Sequence, residues 1–423
     1  MTYGVVVNLT KRNGYSFAAL LGAIQLDHRL KDLQIVVTEE SKFLRCMSSV
    51  SKRFDQMIVC DSIMSGELSR CTVRLNRLRS LLNKKKIVYI AGGPHPTGEP
   101  VGTLKMGIDI AVLGEGEKVF PELIYRIVNG KCYDDLDGIA FAQNETNFKI
   151  NTQKERVDIN AYPPFAVAYG LFAPIEISRG CPWVCKFCQT PRIFGFEMRH
   201  RTCDNIVKYV KVAAAHGYSN MWFISPNAFA YGSPNGKAVQ VDQIKRLLSS
   251  IRDVPGIEKI FFGTFPSEVR PESVTRDALT AVTEYTSNRT LTIGAQSGSE
   301  RILMTTGRGH TVEDVRNAVD LVLDFGITPH LDFLFGLPEE TRADLEKTKG
   351  IVMEFIKKGA KIHAHAFMPL PGTPYQDEEP RPLDKETRRW LSTLAKSGKV
   401  DGYWSQHERI ASDIRKARCS LNS

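Results

Sequence analysis

Three cysteines spaced Cys181-x3-Cys185-x2-Cys188 bring three thiols into one short stretch of a 423-residue chain. Thiolates are soft ligands suited to iron–sulfur clusters or zinc. A closed zinc site asks for a fourth Cys or His, usually from a second paired motif. His200 and the unpaired Cys203 follow without forming such a motif, which leaves zinc the weaker reading. Three protein ligands on a four-iron cluster leave one iron open to a substrate. Cys46, Cys60, Cys71, Cys132, Cys203 and Cys419 are scattered, and an odd total of 9 with one tight group indicates thiols kept reduced rather than a disulfide framework.

A second group of residues suits binding. Gly92-Gly93-Pro94-His95-Pro96-Thr97 and Gly114-Glu115-Gly116 each follow an apolar run. Paired glycines after parallel strands let a large flat ligand lie against the backbone, although turns need glycine in any case. A nucleotide site would want Gly-x-Gly-x-x-Gly after the first strand. Asn8-Leu9-Thr10-Lys11-Arg12-Asn13-Gly14 stands there instead.

The elements that must position these groups alternate. Strands are expected at Gly4–Leu9, Leu33–Thr38, Gln56–Cys60, Ile87–Ala91 and Ile108–Leu113, with helical periodicity between them. That pattern predicts βαβ units and a parallel, doubly wound sheet, with ligands at the carboxyl ends of its strands. Residues 136–172 are less regular and read as a connector ending in Tyr162-Pro163-Pro164. Six further strands are expected at Ile175–Ser178, Asn220–Ile224, Lys259–Thr264, Leu291–Ala295, Thr328–Phe335 and Lys361–Met368, most of a (β/α)6 barrel. The predicted layout is α/β: a Rossmann-like domain over 1–135, the connector, a partial barrel over 173–375 and a helical extension over 376–423, with helices near Asp384–Lys396 and Glu408–Arg418.

Composition narrows the function classes. Lys plus Arg number 56 against 47 Asp plus Glu, a formal +9 that is mild for this length. The stretch Arg70–Lys86 is basic without an acid, which fits the solvated face of a helix better than an RNA contact, so nucleic-acid binding is not expected. No run approaches the roughly 20 apolar residues of a membrane span. The first residues also lack the pattern of a secretory signal, so a cytoplasmic location and no membrane partner are expected.

The stretch Ile177–Cys188, with Phe187 before the last cysteine, resembles the CxxxCxxC loop of the radical S-adenosylmethionine (SAM) superfamily. The resemblance implies a [4Fe–4S] cluster on Cys181, Cys185 and Cys188, with SAM chelated at the open iron and cleaved to a 5′-deoxyadenosyl radical. Ile293-Gly294-Ala295-Gln296-Ser297-Gly298-Ser299-Glu300-Arg301 is similar to the fourth-strand segment of such enzymes. By that likeness Phe187, Gln296, Ser297, Ser299 and Arg308 would contact SAM. The usual Gly-Gly-Glu of the second strand is replaced by Ser225-Pro226-Asn227, where Ser225 or Asn227 would substitute.

The glycine pairs ahead of this loop resemble the cobalamin-binding domain of class B radical SAM enzymes, in an archaeal two-domain group. Ser62, Gly92, Gly93, Pro94, His95, Thr97, Gly114, Glu115 and Gly116 would then line cobalamin. Asp-x-His-x-x-Gly is absent, so histidine ligation of cobalt is not encoded, and His95 reads more safely as an exposed loop residue. The implied activity is C-methylation of an unactivated sp3 carbon through methylcobalamin. The implied partners are a low-potential electron donor and a protein or peptide substrate, glutamine in the alpha subunit of methyl-coenzyme M reductase within that group. The competing expectations are a methylthiotransferase acting on tRNA or protein, for which Cys46, Cys60 and Cys71 would hold a second cluster, and a radical SAM/cobalamin cyclase.

Overall fold

A computed structural model of the chain describes residues 2–82 and 87–422. Lys84–Lys86 of the basic stretch and the Cys419 side chain lie outside the described residues. The chain divides into two compact units. Among the described residues no helix is long and apolar enough to cross a membrane.

The first unit spans Met1–Ala173, with Leu370–Gly372 and Asp413–Ser423. Its strands are β1 (Tyr3–Leu9), β2 (Gln34–Glu39), β3 (Gln56–Ser62), β4 (Ile87–Gly92), β5 (Ile110–Val112), β6 (Ile139–Ala142) and β7 (Phe148–Asn151). They form one sheet in the order β2-β1-β3-β4-β5-β6-β7. The first five run parallel. Such strands are covered on both faces, so near-continuous Val and Ile runs are required of them. Val5, Val7, Ile58 and Cys60 pack on one face with Phe17, Leu21, Leu123 and Ile124. Val6, Met57, Val59 and Tyr89 pack on the other with Phe43, Met47, Cys71 and Leu75.

Residues 136–172 are more than a connector. β6 and β7 add to the sheet antiparallel, as a hairpin closed by the Gln143 N–H donating to the Asn147 carbonyl at 2.9 Å. Two four-residue strands around a polar turn are too short to display a period, which is why the hairpin escapes a pattern search.

At the carboxyl end of this sheet, the loops after β3, β4 and β5 are tied together. Ile63 N–H donates to the Gly92 carbonyl at 2.8 Å, and His95 N–H to the Ile63 carbonyl at 3.1 Å. Gly114 N–H donates to Thr97 Oγ1 at 3.0 Å. Gly93 has a φ of +99°, and a Cβ there would fall 2.8 Å from Ser62 Oγ. A side chain at 93 is therefore excluded both by conformation and by space.

The second unit spans Pro174–Pro369 and Thr373–Ser412. It holds β8 (Ile175–Glu176), β9 (Ser178–Arg179), β10 (Arg199–His200), β11 (Asn220–Ile224), β12 (Lys259–Phe261), β13 (Thr290–Gln296), β14 (Thr328–Phe335), β15 (Lys361–Ala366) and β16 (Val400–Gly402). Two parallel sheets, β12-β11-β8 and β13-β14-β15-β16, meet where Thr292 N–H donates to the Gly263 carbonyl at 3.0 Å and Val269 bridges Ile293. Helices begin on cap residues between the strands. Thr202, Thr275, Thr311, Thr341 and Asp384 each accept a backbone N–H three residues on. The segment 376–423, expected as a helical extension with helices near Asp384–Lys396 and Glu408–Arg418, also contributes β16 between its two helices, paired parallel to β15. A three-residue strand leaves no alternation to read.

His95 is not an exposed loop residue: it is buried in the short helix Pro94–Gly98, its Nδ1 3.1 Å from Ser65 Oγ. Burial lowers its pKa from 6.5 to about 4. The unfolded chain takes up a proton that the folded chain refuses until about pH 4. Stability is therefore present above pH 6.5 and lost as pH falls through that window, by roughly 1.4 kcal/mol per pH unit. Thermal melting followed between pH 7 and pH 4 is expected to fall in this range, and His95→Gln should flatten the slope.

Candidate functional site

The cysteine loop hangs between β9 and β10, which pair antiparallel with Arg199 opposite Arg179 and His200 opposite Ser178. Gly180 turns the chain into the loop at a φ of +88°, and a Cβ there would meet the Glu197 carbonyl oxygen at 2.1 Å. Cys181 N–H donates to the Gly195 carbonyl at 3.1 Å, and Lys186 N–H to the Thr306 carbonyl at 2.9 Å. The loop is thus held from both sides by backbone.

The three thiols open on a cavity of about 670 Å³ that Ser225, Glu268, Thr292 and Arg308 also line. Burial pushes the Cys181 thiol up to about 11. It also raises Cys188, with the Thr190 hydroxyl opposing. Thiols so placed hold protons near neutral pH and release them on binding metal. The Arg308 guanidinium stands behind them. Its Nη1 donates to Cys185 Sγ at 3.7 Å and its Nη2 to the Gly294 carbonyl at 2.7 Å. Burial works against its charge, and Cys185 and Glu268 outweigh burial. Arg270 lies 3.9 Å from the Trp183 ring centre and donates to the Arg308 carbonyl.

The donor set passes a test for an iron–sulfur cluster. Three soft ligands face one open cavity, and the buried Arg308 Nε beside them has no hydrogen-bond partner. Among the described residues, neither His200 nor Cys203, the candidates for a fourth zinc ligand, lines this cavity. His200 engages Ser178 Oγ at 2.8 Å and the Ser233 carbonyl at 2.9 Å through its two nitrogens. Cys203 is buried against the Arg246 carbonyl.

The expected SAM contacts separate into two groups. Ser225 and Arg308 line the cavity with the cysteines. Asn227 is buried among Ser273 and Arg270 instead, donating to Ser273 Oγ at 2.9 Å. Ser297 Oγ lies 3.3 Å from Thr348 Oγ1, and Ser299 Oγ donates to Asp344 Oδ1 at 2.6 Å, so both hydroxyls fasten the helix Arg342–Lys358. Phe187 packs on Ile302, Leu334, Leu337, Phe367 and Tyr375. Gln296 ends β13 at a φ of +68°, beyond a register shift that starts at Ile293. A non-glycine residue in that region is strained and of the kind that gathers at ligand sites.

Glu268 is a cavity residue that pattern reading passes over. Burial raises its carboxyl pKa, with Arg308 opposing. Ser267-Glu268-Val269-Arg270 carries no motif, and Glu268 stands well past the end of β12 at Phe261, so the sequence held no signal for it.

In the first unit, the residues expected around cobalamin form a half-exposed backbone surface at Gly92, Gly93, Pro94, Thr97, Gly114 and Gly116, while Ser62, His95 and Glu115 are buried. Glu115 Oε2 accepts from Val157 N–H at 3.1 Å. A Cβ at Gly114 would meet Gln153 at 2.4 Å, and one at Gly116 would meet Leu20 at 2.6 Å. Gly114 also has a φ of +73°, so the unit's own backbone already favours glycine there, whereas at Gly116 only the tip of the Leu20 side chain would have to give way. Backbone at the strand ends fits a group held without a side-chain ligand.

Residues 175–350 match the Radical SAM superfamily. A putative methylthiotransferase of Methanocaldococcus jannaschii is 24% identical over 348 residues, covering 80% of this chain and 72% of that protein. The fold is similar to the radical SAM methyltransferase TsrM from Kitasatospora setae, solved with cobalamin and a [4Fe–4S] cluster, at a TM-score of 0.67 and 17% identity over 89% of this chain and 74% of that one. It is also similar to OxsB, a cobalamin-dependent radical SAM enzyme solved with aqua-cobalamin, at 0.66 and 16% over 94% and 62%. A radical SAM domain works with a [4Fe–4S] cluster and SAM. This chain carries such a domain, within a mixed α/β fold similar to those of cobalamin-dependent radical SAM enzymes.

Proposed function

We propose that the protein is a cobalamin-dependent radical SAM C-methyltransferase acting on an unactivated sp3 carbon of a protein residue. The first substrate to test is glutamine in the alpha subunit of methyl-coenzyme M reductase. The observation that carries this reading is one chain joining a three-thiol loop, open to a cavity, with a doubly wound sheet whose carboxyl end offers half-exposed glycine backbone. When bound, the cluster would supply the electron that cleaves SAM, and cobalamin would carry the methyl group. The chain's own residues do the rest. Cys181, Cys185 and Cys188 hold the metal. Arg308 places a cation against Cys185, and its buried Nε is left without a hydrogen-bond partner. Phe187 and its apolar neighbours exclude water behind the loop. Gly92 and Gly93 would take the flat face of the corrin against backbone.

Methylthiotransferase activity is the second reading, favoured by the name of the M. jannaschii relative. A second cluster on Cys46, Cys60 and Cys71 conflicts with their placement. Cys60 packs on one face of the sheet, whereas Cys71 and Cys46 pack on the other. Burial also pushes the Cys71 thiol up to about 12 and raises Cys60 further.

Anaerobic reconstitution with iron, sulfide and cobalamin, followed by SAM, a low-potential reductant and a glutamine-containing peptide of methyl-coenzyme M reductase, tests the proposal by mass spectrometry. One methyl added to a glutamine carbon is expected. An unmodified peptide beside 5′-deoxyadenosine and S-adenosylhomocysteine would keep the reaction and discard that substrate. Two clusters without cobalt would favour sulfur insertion. Gly180→Ala should strain the loop by roughly 1–3 kcal/mol and sharply lower the iron retained per chain. Circular dichroism should register little change in that variant.

A further inference from the structure

β14 and β15 turn an unusual set of side chains toward the cavity. Leu331, Phe333, Ile362 and Ala364 are buried at alternate positions, and His330, Asp332, His363 and His365 between them line the cavity wall. The register places Asp332 beside His363, and His363 beside Asp401 of β16, so an Asp-His-Asp row crosses three neighbouring strands. None of these residues belongs to the cysteine loop, and the proposed methyl transfer gives them no task.

We infer that Asp332, His363 and His365 form a second metal site, for a single divalent transition ion such as zinc or ferrous iron. One ligand atom from each lies within 4.8 Å of the other two. His365 Nε2 stands 3.4 Å from Asp332 Oδ1. Ligands about 2.0–2.1 Å from a tetrahedral ion stand roughly 3.3 Å apart, so this pair is already spaced to share one. Two imidazoles and one carboxylate, with coordination positions left open, suit zinc or non-haem iron rather than magnesium or calcium.

Asp401 acts one step back. His363 Nδ1–H donates to Asp401 Oδ1 at 2.5 Å, which fixes the tautomer and leaves the Nε2 lone pair to meet the ion. His330 Nε2–H reaches the same oxygen at 3.3 Å and holds that carboxylate in place. The same atoms offer a rival set, His330, His363 and Asp401. Its carboxylate side chain is 59% exposed, and Asp401 does not line the cavity. An ion on the cavity set has its open positions facing the space into which the cysteines also open. It would there bind a carboxylate or carbonyl oxygen of the substrate.

The site can be measured apart from the cluster. In the full-length chain with Cys181→Ala, Cys185→Ala and Cys188→Ala, stripped by a chelator, cobalt(II) titration read by visible absorption is expected to saturate at one ion per chain. Zinc should displace the cobalt. Asp332→Ala and His365→Ala should abolish binding, and Asp401→Asn should weaken it about 10- to 100-fold. If the triple variant fails to fold, the cluster-loaded wild type serves instead: elemental analysis after zinc dialysis should find one zinc that His365→Ala removes without altering the cluster's absorbance. No stoichiometric ion in either protein would overturn the site. Binding that survives Asp332→Ala but is lost in His330→Ala would overturn the ligand assignment.

Discussion

Thiolates repel one another, and a buried loop that gathers three of them is stable in its ionised form only when positive charge lies among them. Much of the second unit can be read as an answer to that constraint. Arg308 supplies a cation at Cys185 from one side, and Arg270 secures the Arg308 backbone while stacking on Trp183. The opposite side is left to the cavity, where the metal would complete the neutralisation. Positive-φ glycines at 180, 307 and 309 let backbone approach where a side chain would collide: a Cβ at Gly309 would sit 2.2 Å from the Trp183 ring.

The first unit solves a different charge problem at its own strand ends. The order β2-β1-β3 reverses the winding beside β1, the point where doubly wound sheets usually leave a crevice. Here Asp61 fills it, paired with Arg74 and bonded by Asn8 at 3.3 Å and Tyr89 at 3.1 Å. Burial raises the Asp61 carboxyl, and Arg74 is the main opposing influence. With that crevice occupied by side chains, the backbone after β4 and β5 is the freer part of the carboxyl edge.

The cysteine loop was legible in the sequence because three ligands to one centre must come at short fixed intervals. The parallel strands were legible because burial on both faces demands unbroken apolar runs such as Val5-Val6-Val7. What escaped was short or depended on distant partners. β6, β7 and β16 are too brief to carry a period. Ser297 and Ser299 have the composition of a ligand loop, yet Thr348 and Asp344, some fifty residues on, claim their hydroxyls. His-x-Asp and His-x-His in β14 and β15 break the apolar alternation openly, and only the register reveals that they face one another.

The placement of the cysteines has a bearing on how the protein meets oxygen. Cys60 and Cys71 sit fully enclosed in apolar cores, with their thiols held protonated, and a protonated, inaccessible thiol is a poor target for oxidants. The loop cysteines lack that enclosure once their metal departs, since all three open on the cavity. Of these five thiols the three in the loop are therefore the ones an oxidant can reach, and a sample exposed to air would keep the apolar core of its sheet while losing the capacity to be reloaded.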